Sequence, residues 1–178
     1  VGDHAQDCHV VLYSDADFAG DLIQAKSTSG LYLAIVGPNT FAPITAVGNT
    51  QTCVSRSSTE SDIVAAEHGV RTEGLQALSF WEHVVDLLSF THGSSKTAET
   101  RAIPSALEMN PYSTNFNPGK YFAYTRREAE TTTVLVIAED NEAVIKITKK
   151  ARSMSLRHLP RTHRIDVNWL FELCAMRR

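Results

Sequence analysis

Three carboxylates, Asp15, Asp17 and Asp21, fall within the stretch Tyr13-Ser14-Asp15-Ala16-Asp17-Phe18-Ala19-Gly20-Asp21, directly after the apolar run 10–13. A strand that runs into clustered acids suits a hard-cation site, because carboxylate oxygens are the ligands Mg²⁺ prefers. The same stretch also reads as an Asp-rich surface turn held by side-chain to backbone hydrogen bonds. Two more acids occupy informative places. Glu60 stands three residues after Ser57, where a helical pattern begins, and Asp140 follows the run Val-Leu-Val-Ile-Ala at 134–138. If the first strand and the strand at 134–138 are neighbours in a mixed sheet, Asp15 and Asp140 meet at one edge. A helix packed on that sheet then presents Glu60 to the same point. Three converging carboxylates repel one another unless a cation sits between them. Two Mg²⁺ ions about 4 Å apart bind a scissile phosphate and activate a water for in-line attack. Each acid has a purely structural use as well. Asp15 can cap a turn, Glu60 can complete a capping box with Ser57, and Asp140 with Asn141 can cap the next helix.

The elements that must position these acids are legible in outline. Residues 10–13 and 31–36 are short apolar strand candidates, joined by a polar connection over 15–29. Gly37-Pro38-Asn39-Thr40 is a turn of the kind that joins antiparallel strands. Residues 41–47 and 52–55 form a third strand interrupted near Gly48-Asn49, and Pro43 places it at an edge or a bulge. Ile63, Ala66, Val70, Leu78, Trp81, Val85 and Leu88 recur at helical intervals, which predicts a helix from about Ser58 to Leu88, broken near Gly74. From 89 to 133 the periodicity is poor and Ser, Thr, Asn, Gly and Pro are frequent, which predicts a polar, partly disordered surface insertion. The competing reading is a docking segment whose aromatics meet a partner. The strand at 134–138 follows, then a helical face on Ala143, Val144, Ile147 and Ala151, a polar segment over 157–164, and an amphipathic helix over 165–176.

At 178 residues and a formal net charge of −3, the chain suits one domain over 1–178, and its overall charge selects no partner. The distribution says more. Residues 146–178 hold nine of the seventeen basic side chains against two acids, Asp166 and Glu172. Lys146, Lys149, Lys150, Arg152 and Arg157 in this arm are candidates for phosphate contact, and equally for a solvated helix face. Cys8, Cys53 and Cys174 are odd in number and have no CxxC pairing, which argues against a disulfide framework or a zinc site and for a reducing, intracellular compartment. His158 and His163 read as surface or packing histidines. The apolar runs are too short to span a bilayer, so no membrane partner is expected. The first residues run almost directly into a strand, as in a piece cut from a larger polypeptide.

Several motifs in order resemble the ribonuclease H domain of Ty1/copia-type retrotransposon Pol polyproteins. They are the Tyr13 to Asp21 stretch, Ser27-Thr28-Ser29-Gly30, Ser57-Ser58-Thr59-Glu60, Glu139-Asp140-Asn141 with Ala143 and Ile145, and Arg161-Thr162-His163-Arg164-Ile165-Asp166. The resemblance covers about 10–88 and 134–173. It implies a ribonuclease H-like α/β fold, an α+β mixed sheet flanked by helices. It implies endonucleolytic cleavage of RNA in RNA/DNA hybrids with Mg²⁺, two ions or Mn²⁺ in their place. Carried over by position, Asp15, Glu60 and Asp140 are the catalytic and metal-binding acids, while Ser29 and Gln51 join the basic arm as nucleic-acid contacts.

The departures set the alternative. Asn49-Thr50-Gln51 stands where the family often has Lys-Lys-Gln, Ala46 replaces a Trp, and Arg164 replaces a His. The segment 89–133 matches no family motif. The family's fifth strand and last helix, with a fourth acid, are expected to be missing, which leaves a sheet edge open. That edge invites a reverse transcriptase domain or another protein to cover it. The second expectation is accordingly a catalytically inactive ribonuclease H-like module, acting as a nucleic-acid-binding or structural subunit of a larger assembly.

Overall fold

The computed structural model describes residues 2–91, 121–124, 133–150 and 156–175, and its centre is strand β1 (His9–Asp17). Strand β2 (Thr28–Val36) pairs antiparallel with β1, from His9 opposite Val36 to Asp17 opposite Thr28. Strand β3 (Phe41–Thr50) pairs antiparallel with β2 and forms one edge of the sheet. On the other side of β1 lie a short strand β4 (Tyr121–Tyr124) and strand β5 (Leu135–Ala138). Strand β5 runs parallel to β1, with Val10 opposite Leu135 and Tyr13 opposite Ala138. Strand β4 pairs antiparallel with β5 at the far edge, so the order is β3-β2-β1-β5-β4. The chain therefore has a mixed α/β fold in which a mixed sheet carries helices.

The alternating side chains of the sheet build two apolar layers. Val10, Leu12, Leu31, Leu33, Leu135 and Ile137 face the helices, and they pack with Val70, Leu78, Ile145 and Leu170. Full burial of a leucine or isoleucine such as Leu12, Leu135 or Ile137 contributes roughly 1.5–3 kcal/mol. Val11, Ala34, Val36, Val134 and Val136 form the second layer on the opposite face, with Tyr13 and Tyr32 against it.

Helix α1 (Ser58–Gly69) continues through one π-helical segment, Val70–Gly74, into α2 (Leu75–Thr91). The two glycines at its joints allow close approach to the sheet. A Cβ on Gly69 would lie 2.6 Å from a Leu31 methyl, and one on Gly74 would lie 3.0 Å from a Leu135 methyl. The break predicted near Gly74 is thus a widened helical turn rather than an interruption, since tertiary packing outweighs the low helix propensity of glycine. Helix α3 (Glu142–Lys150), the short α4 (Leu159–Thr162) and α5 (Val167–Ala175) complete the fold. Helix α5 starts later than its apolar pattern because Asp166 caps it, its Oδ1 accepting from the Asn168 and Trp169 N–H groups.

Three expectations change. Strand β1 runs on to Asp17, so Asp15 and Asp17 lie within a strand rather than in a connection, because Gly30, Ser29 and Thr28 pair with Asp15, Ala16 and Asp17. Strand β3 runs unbroken to Thr50 and excludes 52–55, and the irregularity falls instead at Leu33/Ala34, opposite Pro43 and Thr45. A sheet edge is expected to stand open for want of a fifth strand, and the sheet instead has five strands, with β4 from within the 89–133 segment paired to β5. Backbone groups at a sheet edge need partners, and β4 supplies them. Apart from the end of α2, β4 and Thr133, that segment lies outside the described residues, as does Arg152.

Candidate active site

The parallel pairing of β1 and β5 brings two acids to the same end of the sheet. The register sets Tyr13 opposite Ala138, and Asp15 and Asp140 each follow two residues later. Both are exposed. Two buried acids lie behind them. Asp62, in the second turn of α1, is 5 % exposed, and Glu139 is 2 % exposed.

Asp62 is tied to the end of β5: its Oδ2 accepts from the Asn141 amide at 2.8 Å, while the Ala16 N–H of β1 donates to Asp15 Oδ1 at 2.8 Å. Burial pushes the Asp62 carboxyl above the usual range, and the Asn141 bond opposes that push. The charges of Asp15 and Asp140 then raise it further, which makes these three acids electrostatic neighbours. Glu139 accepts from Ser14 Oγ at 3.1 Å and from the Asn141 N–H at 3.1 Å. Burial raises it to about 7; the Asn141 N–H and Ser14 oppose the rise, and the Asp62 and Asp140 charges add to it.

Glu60 does not join this group. It is 1 % exposed, and each of its oxygens is engaged elsewhere. Oε2 accepts from the Arg56 N–H at 3.0 Å, and Oε1 meets His158 Nε2 at 3.0 Å and His163 Nε2 at 3.1 Å. Burial works against its charge, but the Arg56 and His158 bonds and the two imidazoles hold its carboxyl below the usual value. Ser57 caps the helix as the motif predicts, its Oγ accepting from the Glu60 N–H at 3.2 Å. The reciprocal half of a capping box is displaced by one residue, since Glu60 returns to Arg56 N rather than to Ser57 N.

Helix geometry explains the division. Residues two apart on an α-helix point about 200° from each other. Glu60 shares its side with Ile63, which packs with Val144, Leu156, Leu159 and Ile165 of the C-terminal elements. Asp62 shares its side with Ala66 and Gly69, and Gly69 packs directly against Leu31 of β2 and Leu12 of β1. Sequence reasoning missed Asp62 for want of this face assignment. The signal was available: Asp62 lies seven residues before Gly69, on the stripe a glycine marks for close contact with the sheet.

The remaining candidates divide by burial. Ser29 and Gln51, expected at the nucleic acid, are 3 % and 6 % exposed. The Gln51 amide donates to Ser29 Oγ and to the Ser61 carbonyl, and its Oε1 accepts from Ser55 Oγ. They bind β2 and the loop after β3 to α1, and their polar groups are used internally. Lys146, Lys149, Lys150 and Arg157 are exposed, with Lys146 on Glu142 at 2.7 Å. Beside Asp15, an open groove of about 390 Å³ runs over the sheet between Tyr13, Tyr32 and Gly48.

The donors at the strand ends suit a hard divalent cation in kind: oxygen atoms only, with charge that opposes itself. Among the described residues, no three His, Cys, Asp or Glu side chains are gathered closely enough to hold a metal ion as they stand. The acids are neighbours, and a cation would have to draw them together. No helix among the described residues is long and apolar enough to cross a membrane. No protein-family model matches the chain, and neither a curated protein nor a solved structure matches it.

Proposed function

We propose that the chain is a ribonuclease H-like domain of retrotransposon Pol type, which cleaves the RNA strand of an RNA/DNA hybrid with Mg²⁺, Mn²⁺ substituting. The observation that carries this reading is the placement of three acids from separate elements: Asp15 and Asp140 each lie two residues beyond the paired Tyr13 and Ala138, and Asp62 of α1 is bonded to Asn141, the residue after Asp140. A second support is the strand order. An antiparallel β1–β2–β3 meander with β5 parallel to β1 fits a ribonuclease H-like sheet. The motif resemblance supplies the substrate class, with Asp62 taking the place that motif position alone gives to Glu60.

Asp15, Asp62 and Asp140 would hold the cation, which when bound supplies charge for the scissile phosphate and an activated water. The protein's own groups prepare that state. The Asn141 amide orients Asp62. The Asn141 side chain also caps α3, its Oδ1 accepting from the Ala143 N–H, so one residue fixes both the acid and the helix after β5. Asp15 and Asp140 remain exposed, which leaves a phosphate free to approach. The lysines of α3 lie on the helix that starts beside Asp140, where they can meet phosphates farther along the hybrid.

The test is cleavage of an RNA/DNA hybrid with Mg²⁺ by the full chain, beside Asp15→Asn, Asp62→Asn and Asp140→Asn. Each variant is expected to lose on the order of a hundredfold or more in rate. Equal activity in the wild type and the Asp62→Asn chain overturns the assignment. A folded wild-type chain that binds hybrid and leaves it intact favours the non-catalytic module.

A further inference from the structure

The buried contacts of Glu60 have no part in the site just described, yet they join the same helical turn to the far end of the chain. We propose that Glu60, His158 and His163 form a clasp that positions Asp62, making Glu60 and both histidines positioning residues for cation binding at the acid cluster. The proposal rests on the reading of that cluster as a cation site.

Four observations carry it. The two imidazoles converge on one carboxylate oxygen, at 3.0 and 3.1 Å, and they bracket α4 as its preceding and following residues. The side chains of Glu60 and His163 are 2 % and 1 % exposed, so water does not compete for the bond between them, while His158 is 23 % exposed. Cys53 adds a third tie to the same short helix, its Sγ lying 2.9 Å from the Thr162 carbonyl. On the opposite side of the turn, Asp62 Oδ2 accepts from the Asn141 amide at 2.8 Å, next to Asp140.

The mechanical consequence follows from the 200° division of the turn. Like charges on Asp15, Asp62 and Asp140 oppose their approach, so contacts outside the acid cluster have to fix where the start of α1 sits. The clasp restricts where the turn can go, and Gln51 holds the adjacent Ser61 carbonyl at 2.9 Å. Asp62 is thereby kept in reach of the cation before any cation arrives. Loss of the clasp leaves Asp62 free to withdraw, and cation binding must then supply the ordering itself. A metal ion held by the three clasp residues is the competing use of the same atoms. The geometry disfavours it, because His163 Nδ1 is buried with no hydrogen-bond partner among the described residues, whereas a metal-bound imidazole donates its other N–H to one.

The experiment measures Mn²⁺ binding to the full chain by electron paramagnetic resonance, without nucleic acid, together with thermal stability. Wild type is compared with Asp62→Asn, Glu60→Ala, Glu60→Gln, His158→Ala and, as a control for plain destabilisation, Leu33→Ala. Glu60→Ala and His158→Ala are expected to weaken Mn²⁺ binding about tenfold or more while the chain stays folded. Glu60→Gln, which keeps an acceptor for the imidazoles, is expected to retain most of the affinity. Leu33→Ala is expected to lower the melting temperature with no change in Mn²⁺ affinity. Mn²⁺ affinity unchanged in Glu60→Ala and His158→Ala, with binding still lost in Asp62→Asn, overturns the clasp alone. Absence of Mn²⁺ binding by the wild type overturns the cation site and the clasp together. Uptake of one Zn²⁺ that depends on His158 also overturns the clasp as a hydrogen-bonded device.

Discussion

Glu60 and Asp62 are two residues apart, both carboxylic acids and both buried, and the molecule treats them oppositely. Glu60 is surrounded by donors: a backbone N–H and two imidazoles. Asp62 has the Asn141 amide but also faces the charges of Asp15 and Asp140. The carboxyl of Glu60 is lowered and that of Asp62 is raised. Burial by itself therefore does not distinguish the two acids. The balance of donors and like charges does, because an acid left partly unsatisfied by the protein has capacity for a cation.

Removing the carboxylate at each position should have opposite consequences. Asp62→Asn should abolish hybrid cleavage, by on the order of a hundredfold or more, while leaving stability without cation unchanged or raised, since it removes a repelled charge. Glu60→Ala should do the reverse in stability, lowering it by about 3 kcal/mol in denaturant titration, because two imidazoles and the Arg56 N–H lose their acceptor. If Asp62→Asn proves the more destabilising of the two, the contrast is wrong.

Acid titration sharpens it further. Glu60 has a lowered carboxyl, so it contributes stability that is present above its unfolded value of 4.5 and is lost as pH falls through its folded value. Glu139 is raised from 4.5 to about 7, so the folded chain binds more protons there and stability declines as pH rises across that window. Glu139→Gln should flatten the decline between pH 4.5 and 7, and Glu60→Gln should flatten the loss below pH 4.5. Melting temperatures measured across pH check both signs.

The smallest expected effect concerns α3. Lys149→Ala and Lys150→Ala should each reduce the salt dependence of hybrid binding by about one unit of slope and leave the melting temperature alone. Ser29→Ala and Gln51→Ala should lower the melting temperature and leave the salt slope unchanged, because those side chains are spent on each other and on Ser61 and Ser55. A salt effect from Gln51→Ala would return it to the nucleic-acid surface.

Local chemistry was readable where one element decides the outcome. The Gly37-Pro38-Asn39-Thr40 turn joins β2 to β3 as its residue types require. Ser57 caps α1, and Pro43 sits on an edge strand beside an irregularity. The pairing of 134–138 with β1 was legible as well, because a fully apolar run asks for burial on both faces. Side-chain destinations across elements were less readable. Nothing local in Tyr121-Phe122-Ala123-Tyr124 separates a strand from a polar loop, and its pairing with β5 is a decision of the sheet edge.

The opening cluster of acids shows where the line falls. The residue types alone determined that oxygen-donor chemistry is available at the end of the first strand, and the apolar runs determined that a second acid, Asp140, follows a buried strand. Which helical acid completes the set was decided only in three dimensions. A helix turns about 100° per residue, so Glu60 and Asp62 leave it on opposite sides. The packing of Gly69 against Leu12 and Leu31 fixes which side faces the strands. Asp62 is turned to Asp15 and Asp140, and Glu60 to the histidines that close over the other side.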